Sequence, residues 1–365
     1  FFTRYDDLLR RVIDLEAYHS RLVDAFQQEK EKGGYIDPIG RIKKESATGD
    51  GTGDSEDNGT GNEDSRAGSP FLLNELVSRH LLTSSKPILL LGGPGMGKTL
   101  YAKWLARDLV EQRRAGDWRV VPVLVPLKEI EAFSDEFVFE YLRRQGVSPG
   151  VSIERFMRDI GLTLILDGLD YLLDPQQSPE IQKLEIRRWL RKFADLQRAG
   201  NRLVITCRTD FYEHYVRPYL PAVESGADPG FEIIIIEPFD DGMVQRYLQG
   251  YAEAEKAQEA KEEAAQQWQM LVDCHLDDMA RVPVLLQLIA RHIKDLPNLV
   301  KYDEPEAKAI LAIIKYDIER TALLGQEDKS AYIQLQRAAW QLWRDKSLLL
   351  DEDTPQDVCP VLSDS

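Results

Sequence analysis

The sequence predicts an α/β sandwich in which a parallel sheet is buried between helices, and three observations carry that expectation. Short apolar runs at residues 88–91, 120–125, 162–166, 203–206 and 232–236 alternate with helical patterns, as strands buried on both faces do. A glycine-rich loop joins the first run to a helical pattern bearing Tyr101, Ala102, Leu105 and Leu109 on one face. Past residue 238 the strand signal fades, and helical periodicity takes over at 243–251, 265–274, 284–293 and 307–323, with a further candidate at 331–342.

Composition bounds the answer. With 365 residues, of which 43% are hydrophobic and 30% charged, the chain can bury a core and divide into two or three domains. Its net charge of -16, from 46 basic and 62 acidic side chains, works against broad electrostatic attachment to nucleic acid or anionic lipid, so nucleic acid is not indicated as a partner. Cys207, Cys274 and Cys359 are far apart and lack metal-knuckle spacing, which argues against a disulfide framework and for a reducing cytoplasm. The longest apolar runs are far too short to span a bilayer. The chain opens on Phe1 and Phe2 without a Met, the expectation for a piece of a longer protein.

Taken in order, residues 1–44 form an N-terminal helix and connector. Leu8, Leu9, Val12, Leu15, Leu22, Val23 and Phe26 recur at helical spacing, a face that either docks on the main domain or links to an upstream one. Residues 45–70 are almost free of large apolar side chains and predict a flexible acidic linker or loop. Residues 71–238 hold the α/β domain, 239–300 a helical domain, and 301–365 a last, partial domain with a polar tail.

Gly92, Gly93, Pro94, Gly95, Met96, Gly97, Lys98 and Thr99 satisfy the pattern G-x-x-x-x-G-K-[ST] between a buried-strand run and a helix. Glycines there let the backbone wrap an anion and clear space for phosphate oxygens. The helix beginning near Lys98 turns its unpaired N–H groups toward the phosphates, Lys98 reaches the β and γ oxygens, and Thr99 offers a hydroxyl to magnesium. Leu100 completes the contact set. This is a P-loop, and it implies a nucleoside triphosphate with Mg2+. The run 162–166 ends in Asp167, Gly168, Leu169 and Asp170. Asp167 is the magnesium candidate, directly or through water, and Asp170 the candidate for orienting or deprotonating the attacking water. The run 203–206 ends in Thr206, Cys207 and Arg208, where a hydroxyl and a cation stand to face the terminal phosphate. Arg208 is a candidate sensor of the nucleotide state, the alternative being an ordinary ion pair with Asp210.

These residues resemble the NACHT family of STAND-class P-loop ATPases. Asp167, Gly168, Leu169 and Asp170 match its Walker B pattern, residues 121–127 look like its second strand, and Thr206, Cys207 and Arg208 its first sensor. Less tightly, residues 35–38 resemble the stretch preceding the domain, and residues 281–286 the motif whose proline, Pro283 here, lies near adenine; a helix-starting proline without a ligand is the alternative. The resemblance implies a five-stranded parallel sheet in the order 5-1-4-3-2, a small helical domain and a partial winged helix. It also implies ATP or ADP as the bound nucleotide, self-association into a homo-oligomer on activation, and effector and sensor domains in the missing flanks. One departure stands out: where members of the family carry an acid after the second Asp, this chain has Tyr171. Slow hydrolysis in an ATP-controlled switch and a nucleotide-locked scaffold are therefore both open. A guanine-specific enzyme is disfavoured, since no Asn-Lys-x-Asp signature occurs.

Overall fold

The computed structural model describes residues 15–33, 35–43, 71–116, 121–130, 132–147, 161–173, 177–219, 230–251 and 257–296. The acidic segment 45–70, the helix candidates 307–323 and 331–342, and the winged-helix expectation lie outside the described residues. Two compact units divide the chain, Phe1–Ala264 and Ala265–Ser365.

In the first unit, five strands have the apolar composition that a doubly covered sheet needs: β3 (Ile88–Gly92), β4 (Pro122–Pro126), β5 (Thr163–Asp167), β6 (Arg202–Arg208) and β7 (Glu232–Ile236). They run parallel in the order β7-β3-β6-β5-β4, which is the expected 5-1-4-3-2. From β3 the chain moves one way across the sheet to β4, then returns through β5 and β6 to β7. Right-handed crossovers therefore place α3 (Lys98–Arg114) on one face, and α4 (Phe137–Arg144) with α5 (Pro179–Arg198) on the other. On that second face Trp189 of α5 meets Phe137 of α4 edge-on, at 5.1 Å between ring centroids.

The expectation of a five-stranded, wholly parallel sheet is corrected. Among the described residues the sheet has seven strands, because β1 (Ile39–Ile42) pairs antiparallel with β7 and β2 (Phe71–Leu72) pairs antiparallel with β1. The register sets Gly40 against Ile236 and Ile39 against Leu72. Neither strand leaves a local signal: one has four residues of which only Gly40 is buried, and the other has two exposed residues. Directly after β2 comes α2 (Leu73–Thr83), which buries Leu73, Leu76, Val77 and Leu81 at helical spacing.

The opposite edge, β4, is closed by side chains. Helix α1 (Glu16–Gly33) packs along α3, where Lys103 pairs with Glu29 at 2.9 Å and the Arg107 guanidinium lies 5.3 Å from the centre of the Phe26 ring. From α1 the Tyr18 hydroxyl donates to the Leu124 carbonyl (2.8 Å) and accepts from the Leu124 N–H (3.0 Å). His19 Nε2 lies 3.2 Å from the Pro122 carbonyl, which fixes the neutral ring as the Nε2–H donor. An exposed strand edge is a template for unwanted pairing, and this clasp removes it. Residues 16–33 thus dock on the main domain, the first of the two roles open to this helix.

After β7, Asp240 accepts the Met243 N–H at 2.7 Å and starts α6 (Asp241–Tyr251), whose Met243, Val244 and Leu248 are buried. Next, α7 (Ala257–Asp273) crosses the boundary between the two units. Within the second unit α7 ends where the Leu276 N–H returns to the Leu271 carbonyl (2.9 Å), and α8 (Asp277–Ala280) packs on α9 (Pro283–Arg291). A helical region therefore follows the sheet.

Candidate functional site: a phosphate loop at the strand ends

The site is built at the carboxyl ends of β3, β5 and β6, where an open α/β sheet places ligands. The residue that turns β3 into α3 is Gly97, at φ 80°, a left-handed conformation that side-chain-bearing residues resist. A Cβ built there would meet nothing within 4 Å, so the glycine serves backbone conformation and open space rather than packing. No side chain caps α3, which leaves its first-turn amides free to face an anion. Met96 is buried beneath the loop, Gly93, Pro94 and Gly95 are half-buried, Leu100 is half-buried, and the Thr99 side chain is exposed.

Lys98 is held at the centre of the loop. Its ammonium donates to the carbonyls of Gly92 (2.7 Å) and Gly93 (2.8 Å), which orients the charge across the loop. Burial pushes its pKa down, opposed by the carboxylates of Asp170 and Asp167. Burial likewise pushes the Asp170 carboxyl up, opposed first by Lys98. The two groups are thus near enough to feel one another, which brings the Walker A lysine and the second Walker B carboxylate to one place. A raised carboxyl is the direction a general base requires.

Asp167 ends β5 buried, and the cause lies on the neighbouring strand. The Thr206 hydroxyl donates to Asp167 Oδ1 (2.7 Å) while accepting from the Gly168 N–H (2.8 Å). The hydroxyl expected to face the terminal phosphate is instead spent on fixing the Asp167 rotamer. Its signal in the sequence is a lone hydroxyl inside the apolar β6. Gly168, at φ 90°, turns the chain out of β5 into the short helical turn Leu169–Leu172 that carries Asp170. A Cβ on Gly168 would sit 2.5 Å from the Tyr171 ring, so that ring lies directly over the turn, half exposed to solvent.

Arg208 ends β6 with its Cα in register with Gly92, the first loop residue. Its Nε donates to Asp210 Oδ1 at 3.1 Å and its Nη2 to Asp210 Oδ2, the ion pair anticipated as the alternative to sensing. The hydrogen bonds it donates to Asp210 hold the guanidinium pKa up. Pro283 is the first residue of α9 and belongs to the second unit, while the other candidates belong to the first.

Magnesium takes oxygen ligands and is commonly held by one or two protein groups together with substrate phosphates. The Thr99 hydroxyl and the buried Asp167 carboxylate, preset by Thr206, fit that donor chemistry. Among the described residues no group of three or more His, Cys, Asp or Glu side chains could hold a metal ion. No helix among them is long and apolar enough to cross a membrane.

A G-x-x-x-x-G-K-[ST] loop between β3 and α3, carboxylates after β5 and the 5-1-4-3-2 order of parallel strands together define a P-loop NTPase domain. More narrowly, residues 86–255 match the model of the NACHT domain, and the chain carries a NACHT domain over that segment, which implies nucleotide binding and hydrolysis. No curated protein matches the chain. Similar solved structures include the ORC2 protein of Aeropyrum pernix in ADPNP–ADP complexes, at 16% identity and a TM-score of 0.36, covering 76% of this chain and 69% of that one. The ORC1 protein of the same organism in complex with DNA is similar at 17% identity and a TM-score of 0.39, covering 80% and 81%. A Walker-type ATPase of Pyrococcus abyssi is similar at 13% identity and a TM-score of 0.38, covering 70% and 74%.

Proposed function

We propose that this chain is an ATP-controlled switch that hydrolyses ATP slowly. The observation that supports this most is the buried Asp167 carboxylate preset by the Thr206 hydroxyl at 2.7 Å, at the strand ends where the Gly92 and Gly93 carbonyls hold the Lys98 ammonium across the loop. In this reading the amides of residues 92–99 and the Lys98 ammonium bind the phosphates, and Leu100 completes that contact set. Thr99 and Asp167 hold Mg2+, which supplies charge neutralisation to the β and γ oxygens when bound. Asp170 orients the attacking water and accepts its proton, and Arg208 reads the terminal phosphate. ADP favours a closed form and ATP an open one that self-associates, which requires ATP to bind the open form more tightly than the closed one.

One observation favours a second reading, a nucleotide-locked scaffold with little or no turnover: Tyr171 fills the place of an acid, and its ring covers the Gly168 turn. Single-turnover hydrolysis of ATP separates the two. Measurable phosphate release by the wild type that drops about a hundredfold in Asp170→Asn supports the switch. A rate unchanged by that substitution would overturn Asp170 as the water-orienting residue, and no release by the wild type would favour the scaffold.

A further inference from the structure

We propose that Asp210 competes with the terminal phosphate for Arg208, and that this positioning residue thereby sets how strongly the site prefers ATP to ADP. The inference rests on Arg208 as the nucleotide sensor and extends it to a residue outside the phosphate loop and the Walker B segment.

The geometry carries the argument. Arg208 is the last residue of β6, and its Cα is in register with Gly92, the first residue of the loop. Asp210 takes the guanidinium side-on, Oδ1 from Nε at 3.1 Å and Oδ2 from Nη2, so both carboxylate oxygens are engaged. Burial alone would push the Asp210 carboxyl up, but the hydrogen bonds and charge of Arg208 outweigh it and hold it below the usual range, so it stays an ionised acceptor. Asp210 is itself anchored: it lies in the helical turn Thr209–Phe211 that follows β6, and its carbonyl is 2.7 Å from His214 Nδ1.

Both side chains keep about a third of their surface in solvent, 34% for Arg208 and 29% for Asp210. An ion pair so placed is weak enough for a phosphate to displace, since arginine binds phosphate oxygens with the same fork it offers a carboxylate. The edge formed by Nε and Nη2 cannot serve Asp210 and a phosphate together. ATP must therefore displace the carboxylate to reach that edge, whereas ADP, which has no γ-phosphate to present, leaves the pair intact. Asp210 accordingly lowers the affinity for ATP and spares that for ADP.

The test measures ATP and ADP affinities of this chain by displacement of a fluorescent nucleotide, for wild type, Asp210→Asn, Arg208→Ala and the double variant. Asp210→Asn should raise the ratio of ATP to ADP affinity by about fivefold, the scale of a partly exposed ion pair. Arg208→Ala should lower the ratio, and the double variant should match Arg208→Ala, because Asp210 acts only through that side chain. Asp210→Glu, which keeps a carboxylate, should stay within about twofold of wild type. The proposal falls if Asp210→Asn leaves the ratio unchanged or lowers it while Arg208→Ala lowers it. If Arg208→Ala leaves the ratio unchanged, the sensor role of Arg208 fails and the proposal fails with it, so the two failures are distinguishable. A general loss of folding would weaken ATP and ADP alike and leave the ratio where it was, which also counts against Asp210.

Discussion

Tyr18 and His19 at the β4 edge and Lys98 and Asp170 at the phosphate loop are all polar groups set into an apolar sandwich, yet they are treated in opposite ways. At the edge the Tyr18 hydroxyl both donates and accepts, and the His19 ring is neutral against one carbonyl. At the loop Lys98 and Asp170, two groups that are charged when free in water, are drawn partly out of solvent, and burial disfavours the charged form of each. The first arrangement satisfies itself and stabilises the fold. The second holds charge at a cost in stability, and an anion at the loop would offset that cost.

The largest effect that would break this contrast concerns Lys98. Lys98→Ala removes a charge-assisted donor to phosphate and should weaken ATP and ADP binding by at least about 3 kcal/mol, more than a hundredfold. Stability without nucleotide should not fall. A lysine whose folded pKa is depressed binds protons less readily when folded, so protonating it opposes folding. Isothermal titration and urea unfolding of the same variant check both halves. Binding retained at wild-type affinity would place the phosphate site elsewhere, and a large loss of stability would make Lys98 structural.

What the sequence made legible follows the same division. Strands β3 to β7 could be read because burial on both faces writes an unbroken apolar run, and Gly92 to Thr99 because phosphate chemistry fixes residue types at fixed spacing. Strand β1 could not, since Arg41 and the small Gly40 interrupt any run, and its pairing with β7 joins residues far apart in sequence. Helical spacing placed Leu15, Leu22 and Phe26 on one face, all of them buried, but did not reveal that Tyr18 and His19 share that face. Their partners are backbone groups of β4, and only the sheet order makes β4 an edge. Thr206 was legible as a residue but not in its task, because the hydroxyl finds Asp167 across two strands whose pairing is again long-range.

The next effect in size sharpens the structural side. His19 is buried with its pKa lowered to about 4, chiefly by desolvation. The unfolded chain takes up that proton near pH 6.5 while the folded chain refuses it until near pH 4. Its contribution to stability is therefore full above about pH 6.5 and is lost as pH falls toward 4, by up to about 3 kcal/mol. In His19→Gln, which can still donate to Pro122, that part of the pH dependence should vanish. Urea unfolding of both proteins across this range gives the difference directly, and parallel curves would remove His19 from the clasp.

Smallest, and most diagnostic of the clasp as structure, is Tyr18→Phe. The ring keeps its volume and its apolar contacts, so what is lost is the hydroxyl alone. The Leu124 N–H and carbonyl then face the α1 side of the strand without partners, and an unsatisfied pair of buried backbone groups costs about 2 kcal/mol. Because the cost falls on the edge, exchange of the Leu124 amide should accelerate by roughly thirtyfold, while amides of the central β3 change only as far as global stability does. Nucleotide affinity should stay within about twofold, since the carboxyl ends of β3, β5 and β6 owe their geometry to Gly97, Gly168 and Thr206 rather than to the β4 edge. A substantial loss of nucleotide binding in Tyr18→Phe would tie the edge to the loop and end the separation between the two regions.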